Sequence, residues 1–343
     1  MNMDHLHLKY CAVYKLVSCF GKFYILGFKE ILVEPRERFI RALLLEEPDK
    51  VPMFELEVQI AEKVVGRKLI VGEDYKKMVN EGKADKVLKH NVEVQVEVSR
   101  KLGYDAVRLY AVPDLVEAIR LAKKLAPELA VIGSADGTMS VPGSYADFAK
   151  LIRRMRKERA QLKKELEDST RKNIESAKAQ IDAGADAIVG CSDYCTNSGP
   201  FLNPKDFEEL IAYYLKQLVD AIHRKGGLYI KHTDGNLWPV IDILVSTGID
   251  ALHSIDPTAG MDLGEVKEKY GDRLCLCGNI DIGLMHRGTP QEVYRASVEC
   301  IRKAAYGGGY ILCTSNVVEI NHPLENVLAM FKARDKYGRY PLV

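Results

Sequence analysis

Eight short apolar runs, separated by longer helical patterns, constrain the fold of this chain more than any other feature. Strand-like runs that alternate with helical patterns are typical of parallel strands joined by crossover helices. Eight such units favour a closed (β/α)₈ barrel over an open sheet. We therefore predict an α/β fold, a (β/α)₈ TIM barrel that forms a single domain over residues 35–343. The apolar runs cover residues 51–57, 105–110, 129–136, 186–193, 228–234, 249–256, 273–281 and 310–316.

Most of these runs end in a polar side chain. In a barrel the carboxyl ends of all strands meet on one face, which is where active sites lie. A single acidic residue at such a position could instead cap the helix that follows it. Taken together, the polar ends predict a functional rim. They are Glu57, Tyr110, Asp136, Asp193, Asp234, Asp256, Asp281 and Asn316.

The run 228–234 ends in the triplet His232-Thr-Asp234, followed by a sharp turn at Gly235. Side chains two residues apart on a strand point to the same face, so the imidazole and the carboxylate are directed together. Such a pair can bind a metal, share a proton or bind a substrate. Zinc accepts both ligand types and keeps an open position in catalytic sites. Candidates for a third ligand are Glu55, Glu57 and Asp193. Alternatively, His232 donates a hydrogen bond to the substrate and Asp234 orients it.

Other polar residues complete the predicted site. Asp193, Asn197 and Ser198 lie in a polar loop that could orient a small-molecule substrate. Glu55 and Glu57 share a strand face, where two like charges raise a pKa or attract a cation, and a salt bridge to Arg108 is the alternative. We predict that His253, His286 and His322 are structural. The predicted substrate-binding set is Glu57, Arg108, Tyr110, Asn197, Ser198, Asn236, Asn279 and Asp281.

The composition excludes several classes of protein. The 343 residues carry a net charge of +1, which argues against nucleic acid as the main partner because phosphate binding needs a basic excess. The eight cysteines show no secreted-scaffold pattern, so a reducing, cytoplasmic setting fits best. We expect Cys275 and Cys277 to be core residues. A homodimer is compatible with this sequence.

Residues 1–34 differ from the rest of the chain. Their apolar stretch is interrupted by Lys15, Lys22 and Lys29, so we predict no membrane span. The helical pattern begins at Glu34, with Pro35 suited to a first helical turn. We interpret residues 1–34 as an appendage or the product of a misplaced start.

Four segments together resemble the uroporphyrinogen decarboxylase superfamily, which includes cobalamin-dependent methyltransferases. The likeness extends from about Pro35 to Tyr340 and implies a (β/α)₈ barrel. The segments are Arg36-Glu-Arg-Phe-Ile-Arg-Ala-Leu with Asp49-Lys-Val-Pro52, the Ser198-Gly-Pro loop, His232-Thr-Asp-Gly-Asn236 with Thr247-Gly-Ile-Asp250, and Gly278-Asn-Ile-Asp281 with Arg287-Gly-Thr-Pro290.

The chain departs from both branches of this superfamily. Where decarboxylases carry arginines that bind the porphyrinogen carboxylates, Glu57 and Ala61 stand, and Val112 replaces a catalytic aspartate. An acid in place of an arginine reverses the charge that the substrate meets. The methyltransferase branch binds zinc through a His-x-Cys pair and a later cysteine, and here His232 matches while Asp234 and Asn316 replace the cysteines.

The resemblance therefore implies a metal-assisted methyltransferase that works with a corrinoid protein. His232, Asp234 and Asn316 are the implied metal ligands, zinc the implied metal, and His232, Asp234 and Asp193 the predicted catalytic residues. The alternatives are a decarboxylase of the uroporphyrinogen type and a non-catalytic barrel that binds a corrinoid or another ligand.

Overall fold

A curled sheet of seven parallel strands forms the centre of the protein. The computed structural model describes residues 33–136 and 138–342. The strand order in the sheet is β1-β2-β3-β6-β7-β8-β9, so each strand pairs with its neighbour along the chain, and β4 and β5 form a separate hairpin. The strands are β1 (Ala106–Arg108), β2 (Ala130–Ser134), β3 (Ala187–Gly190), β4 (Cys195–Thr196), β5 (Gly199–Pro200), β6 (Leu228–Thr233), β7 (Ala251–Ser254), β8 (Cys275–Ile280) and β9 (Tyr310–Thr314).

Helices connect the strands, as expected for parallel pairing. The first begins at Pro35, as predicted from the missing N–H of proline. A π-helical turn, Glu208–Ala212, lies between α8 and α9, and a 3₁₀ turn, Pro257–Ala259, follows β7. The α-helices are α1 (Pro35–Leu43), α2 (Ala61–Val65), α3 (Gly72–Asn80), α4 (Ala84–Leu102), α5 (Leu115–Leu125), α6 (Tyr145–Lys157), α7 (Arg159–Asp182), α8 (Pro204–Phe207), α9 (Tyr213–Arg224), α10 (Ile241–Ser246), α11 (Leu263–Tyr270), α12 (Ile282–Arg287), α13 (Pro290–Ala304) and α14 (Leu324–Tyr337).

Seven of the eight predicted strands are present among the described residues, whereas the first predicted run, 51–57, is not a regular strand. Within the run, Met53 forms an isolated parallel bridge to Leu312, and Val58, directly after the run, forms another to Val318. Pro52 has no N–H to donate, which limits regular pairing at this position. The segment nevertheless accepts backbone hydrogen bonds from both sides. Leu312 N donates to Pro52 O at 3.0 Å, and Asp105 N donates to Met53 O at 2.8 Å.

The inner face of the curled sheet is closely packed with small and branched side chains. Phe39 of α1 and Phe54 pack against it, with their ring centroids 5.5 Å apart. Cys275 and Cys277 are fully buried here, which confirms that they are core residues. Among residues 33–136 and 138–342, no helix is long and apolar enough to cross a membrane. The predicted appendage falls almost entirely on residues 1–32, which lie outside the described residues.

A buried ion network joins the segment 51–57 to the sheet. The Asp105 carboxylate accepts a hydrogen bond from Arg38 Nη1 at 2.6 Å and another from Met53 N at 2.8 Å. Arg38 also donates from Nε to Asp49 at 2.6 Å. Arg38 and Asp105 are both buried, and the buried Arg334 Nη1 lies 3.5 Å from Asp105 Oδ2, so this carboxylate compensates two buried guanidinium groups.

Asp105→Ala should therefore lower the free energy of unfolding by about 3 to 5 kcal/mol, because it leaves the buried Arg38 guanidinium without this carboxylate. Urea denaturation would measure the loss, with Asp105→Asn expected to lose less because it keeps an acceptor for Met53 N. Arg120→Ala, which removes an exposed pair with Glu117, is the matched control and should cost less than about 1 kcal/mol. A loss in Asp105→Ala no larger than that of the control would contradict this assignment.

Candidate metal centre and adjoining cavity

Three side chains with metal-binding atoms converge beyond the carboxyl ends of β3 and β6. They are Asp193, His232 and Asp234, each with one ligand atom within 4.8 Å of the others. His232 Nε2 lies 3.8 Å from Asp193 Oδ1 and 3.9 Å from Asp234 Oδ2. One imidazole nitrogen and two carboxylate oxygens form a donor set that suits a divalent cation.

His232 is held by a second histidine. Its Nδ1 lies 2.9 Å from Nδ1 of His253 on the neighbouring strand β7, so one ring donates and the other accepts. Burial, followed by the nearby charges of His253, Lys231 and Arg108, lowers the pKa of His232 well below its usual range. The ring is therefore neutral at physiological pH, with Nε2 facing the two carboxylates. A neutral imidazole is the form that binds metals.

Asp234 is held by two hydrogen bonds. Ser254 Oγ donates to Oδ1 at 2.5 Å and Asn316 Nδ2 donates to Oδ2 at 2.7 Å. Burial raises the pKa of Asp234 to about 6, and the nearby Asp193 charge adds to this increase while the two hydrogen bonds oppose it. A bound cation would compensate the same carboxylate. Because Asn316 presents its amide nitrogen to Asp234, ligation by Asn316 stays a prediction that requires its Oδ1 to turn towards the ion.

Asp193 is positioned by backbone contacts on both sides. Asp234 N donates to Asp193 Oδ1 at 3.0 Å, which couples the two acidic residues directly. Asp193 N donates to Ser140 Oγ at 3.1 Å, and Val141 N donates to Asp193 O at 2.7 Å. These contacts place the Asp193 carboxylate next to Asp234 and His232 although it lies on a loop.

A buried ion pair supports the same loop from the outer face of the sheet. Lys231 is completely buried, and its Nζ lies 2.8 Å from Asp136 Oδ2. That oxygen also accepts from Ser192 N at 2.8 Å, one residue before Asp193. Burial alone would raise the pKa of Asp136, but the Lys231 charge and hydrogen bonds outweigh it and lower that pKa. The pair therefore links β6 to the loop that carries Asp193.

Gly235 makes the predicted turn after the triplet. Its φ of 92° lies in the left-handed region that favours glycine. A Cβ at this position would stand 2.7 Å from the backbone of Cys195, closer than real Cβ contacts. Glycine is thus required for both conformation and space where the chain leaves β6.

Glu57, Arg108 and Tyr110, all predicted to bind substrate, line one cavity of about 800 Å³. Arg108 Nη1 lies 3.2 Å from Glu57 Oε1, which is the salt bridge offered above as an alternative role for the acid. Tyr110 donates its hydroxyl hydrogen to Val58 O at 3.0 Å. The charge of Arg108 is also one of the smaller causes that lower the pKa of His232.

The remaining predicted substrate residues lie elsewhere. Asn197 and Ser198 are exposed at the tip of the β4–β5 hairpin, and Asn236 accepts from Trp238 N at 3.1 Å. Asn279 donates to Ile255 O at 2.7 Å, while Asp281 caps α12 by accepting from Leu284 N at 2.5 Å. Asn279 and Asp281 line a separate cavity of about 400 Å³. For Asp281, the structure favours the helix-capping role that we weighed for single acidic strand ends.

Two residues of the site were not identified from the sequence in these roles, His253 as the partner of His232 and Ser254 as the partner of Asp234. His253 does pack in the core as predicted, 5.7 Å from the Phe54 ring. Ser254 has a φ of 88°, an unfavourable conformation for a non-glycine residue, and its hydroxyl reaches Asp234. The pairing of β6 with β7, which sets His232 beside His253, would have indicated the contact between the two histidines.

Comparison with known proteins supplies the family. The uroporphyrinogen decarboxylase (URO-D) family model matches residues 77–337. Uroporphyrinogen decarboxylase of Hordeum vulgare is 28% identical over 233 residues, 64% of this chain and 67% of that protein. Methylcobamide:CoM methyltransferase MtaA of Methanosarcina barkeri is 24% identical over 234 residues, 68% of this chain and 66% of that protein. With uroporphyrinogen decarboxylase of Coxiella burnetii the match spans 46% of the relative's length.

A solved methyltransferase from Methanosarcina mazei has the same fold. Its TM-score is 0.66 at 20% identity, with 89% of this chain and 99% of that chain covered. The chain therefore belongs to the uroporphyrinogen decarboxylase family, whose relatives here include both decarboxylases and a methyltransferase.

Glu55, a candidate third ligand, is buried away from the donor cluster. Its Oε1 accepts from Thr314 N at 3.0 Å, and its Oε2 lies 2.6 Å from Thr314 Oγ1. Burial raises the pKa of Glu55 to about 8, although both hydrogen bonds oppose the change. Thr314 thus donates to this carboxyl group from both its backbone N–H and its hydroxyl.

The stability of the protein should therefore depend on pH through Glu55. The unfolded chain releases this proton near pH 4.5 and the folded chain near pH 8, so the free energy of unfolding falls as pH rises between these values. The slope from one such group approaches about 1.4 kcal/mol per pH unit. Glu55→Gln mimics the protonated carboxyl, so its stability relative to wild type should increase from pH 5 to pH 8 in urea denaturation. The exposed Glu117→Gln should keep the wild-type slope, and an unchanged slope in Glu55→Gln would contradict the assignment.

Proposed function

We propose that this protein is a metal-assisted methyltransferase that works with a corrinoid protein. The observation that carries the proposal is the convergence of Asp193, His232 and Asp234, with a neutral imidazole facing two carboxylates. The two Methanosarcina proteins are named as methyltransferases, which supports this activity. Membership of the uroporphyrinogen decarboxylase family makes a decarboxylase the main alternative enzyme.

Zinc fits the residues present. The three side chains offer three donors and would leave a further position open, which is the arrangement of catalytic zinc. His253 behind His232, and Ser254 and Asn316 behind Asp234, provide the outer hydrogen bonds that orient such ligands. When bound, zinc would act as a Lewis acid that stabilises the anion left on an oxygen or nitrogen methyl donor.

The residues of the chain have separate tasks in this proposal. His253 fixes the ring of His232 so that Nε2 points to the centre. Ser254 and Asn316 keep Asp234 in place, and Asp193 contributes the second carboxylate. Arg108 lines the cavity in which we expect the donor to bind.

We also propose that the segment 51–57 completes a (β/α)₈ barrel as an irregular eighth strand. The backbone hydrogen bonds of Pro52 and Met53 to the two edges of the sheet support this. Closure brings Glu57 beside Arg108 at the carboxyl ends of the strands, where barrel enzymes bind their substrates.

Metal analysis tests the centre. Protein purified without chelator should hold about one zinc ion per chain, and His232→Ala and Asp234→Ala should lose it while keeping the wild-type circular dichroism spectrum. Ser198→Ala, at the exposed hairpin tip, is the matched control and should keep the ion. Absence of metal in the wild type, or retention in both variants, would count against the centre.

Methyl transfer is tested with a reduced corrinoid protein and candidate methyl donors, followed by the change in the cobalamin absorption spectrum. Chelation should abolish transfer and added zinc restore it. Incubation with uroporphyrinogen is the parallel assay, and efficient formation of less carboxylated products would instead establish a decarboxylase. Binding of a corrinoid without either reaction would indicate a non-catalytic barrel.

A further inference from the structure

Helix α6 carries a strong excess of positive charge. Five of its 13 residues are basic and one is acidic, whereas the whole chain has a net charge of +1. Cations in the last turn of a helix interact favourably with its dipole, but Lys150 and Arg153 lie before that turn. The dipole therefore does not account for the whole excess. The basic residues are Lys150, Arg153, Arg154, Arg156 and Lys157.

The apolar face of α6 is occupied by the protein itself. Leu151 and Ile152 lie four and three positions before Met155, so these side chains share one face of the helix. Met155 is buried in the hydrophobic core, and Leu151 and Ile152 pack against that core. Because this face is already packed, α6 has no free apolar face to insert into a lipid surface.

The opposite side of α6 is basic. Lys150, Arg153 and Lys157 follow one another at spacings of three and four residues, which places them on one face, and all three are exposed. We call these three residues the basic face of α6. Within the described part of the chain Arg153 and Lys157 form no ion pair, whereas Arg154 beside them pairs with two glutamates. Like charges on neighbouring turns repel one another, so an approaching acidic surface stabilises this face.

Helix α6 lies at the same end of the sheet as the metal centre. It follows β2, whose carboxyl end points to that side, and it leads into α7, which starts there and returns to the beginning of β3. Four residues before α6 begins, Val141 N donates to Asp193 O at 2.7 Å. Since a chain spans at most about 3.6 Å per residue, the first residue of α6 lies within about 20 Å of the Asp193 backbone. A protein bound to the basic face therefore lies beside the metal centre.

We propose that the basic face of α6 binds an acidic surface of a partner protein that takes part in the reaction at the metal centre. In the proposed function, on which this identification rests, that partner is the corrinoid protein. Complementary charge steers such a partner towards the centre and fixes its orientation. A net charge of +1 does not suit nucleic acid, and the packed apolar face does not suit a membrane.

Binding of corrinoid proteins tests the surface. Corrinoid proteins purified from the source organism by their visible absorption are titrated with the full chain, and association is followed by fluorescence anisotropy. The double variant Arg153→Glu and Lys157→Glu should weaken association about tenfold or more, because it reverses two charges of the basic face. Raising the ionic strength from about 0.01 M to about 0.15 M shortens the Debye length from about 30 Å to about 8 Å, and should weaken binding by the wild type far more than by the double variant.

The matched control reverses two cations at the other end of the sheet. Lys124 and Arg224 are exposed in the last turns of α5 and α9. The double variant Lys124→Glu and Arg224→Glu should change the affinity by less than about twofold, because both sites are far from the basic face. Both double variants should keep the wild-type circular dichroism spectrum.

Equal affinity of the wild type and the α6 double variant would overturn the proposal, as would the absence of any corrinoid protein that binds the wild type. Phosphatidylserine vesicles and duplex DNA are titrated in parallel. If either binds through the basic face while the corrinoid protein binds independently of it, the surface belongs to that other partner and the proposal is wrong.

Free cob(I)alamin separates this proposal from the proposed function. As a methyl acceptor it needs no docking surface, so the α6 double variant should methylate it at the wild-type rate, and a loss of that rate would contradict a docking role. If no variant transfers a methyl group but corrinoid-protein binding still depends on Arg153 and Lys157, the methyltransferase is refuted and the docking surface stands.

Discussion

The Asp105 carboxyl group is the point on which the arrangement of the sheet depends. The carboxylate accepts hydrogen bonds from Arg38 of α1 and from the backbone N–H of Met53. The backbone N–H of Asp105 in turn donates to Met53 O. These contacts hold the segment 51–57 against β1, and Leu312 of β9 binds its other side. The segment sends Phe54 into the core and brings Glu57 to Arg108. The contact between Asp105 and Met53 therefore helps to position Glu57 next to Arg108 in the cavity wall.

The metal centre is constrained mainly by electrostatics. Two carboxylates lie next to a histidine that burial keeps neutral, so no positive charge on the ring compensates them. Hydrogen bonds from Ser254 and Asn316 compensate Asp234 only in part, and its pKa stays raised. Lys231 is too firmly paired with Asp136 on the other face of β6 to help. An arrangement of this kind is favourable when a cation is present and costly without one.

Much of the site could be predicted because it depends on local rules. Strand alternation placed His232 and Asp234 on one side, and Gly235 marked the turn. The convergence of parallel strand ends explains why Asp193 meets them although it is 39 positions away from His232 along the chain. The seven regular strands followed from their apolar runs. Residues 51–57 do not form a regular strand because Pro52 has no N–H to donate to a neighbouring strand.

The rest depended on contacts that no local pattern encodes. The partnership of His232 with His253 requires the register of β6 and β7, and the role of Ser254 requires an unusual φ. Asp281 was predicted to bind substrate, whereas in the structure it caps α12. The sequence does not separate these roles, because an acidic residue at the end of a strand can serve either of them. His253 and Ser254 are adjacent in the sequence, yet tertiary structure brings one to His232 and the other to Asp234.

The metal centre and the Glu57–Arg108 pair each combine charges of opposite sign once a cation is bound. A divalent cation would neutralise Asp193 and Asp234, and Glu57 already neutralises Arg108. Neither the centre with its cation nor the Glu57–Arg108 pair would then carry a net charge. The family resemblance implies thiolates at the positions of Asp234 and Asn316 and arginines at those of Glu57 and Ala61, and we propose that the two replacements belong to one change in substrate. On this argument, restoring an arginine at position 57 should favour anionic ligands without affecting zinc binding.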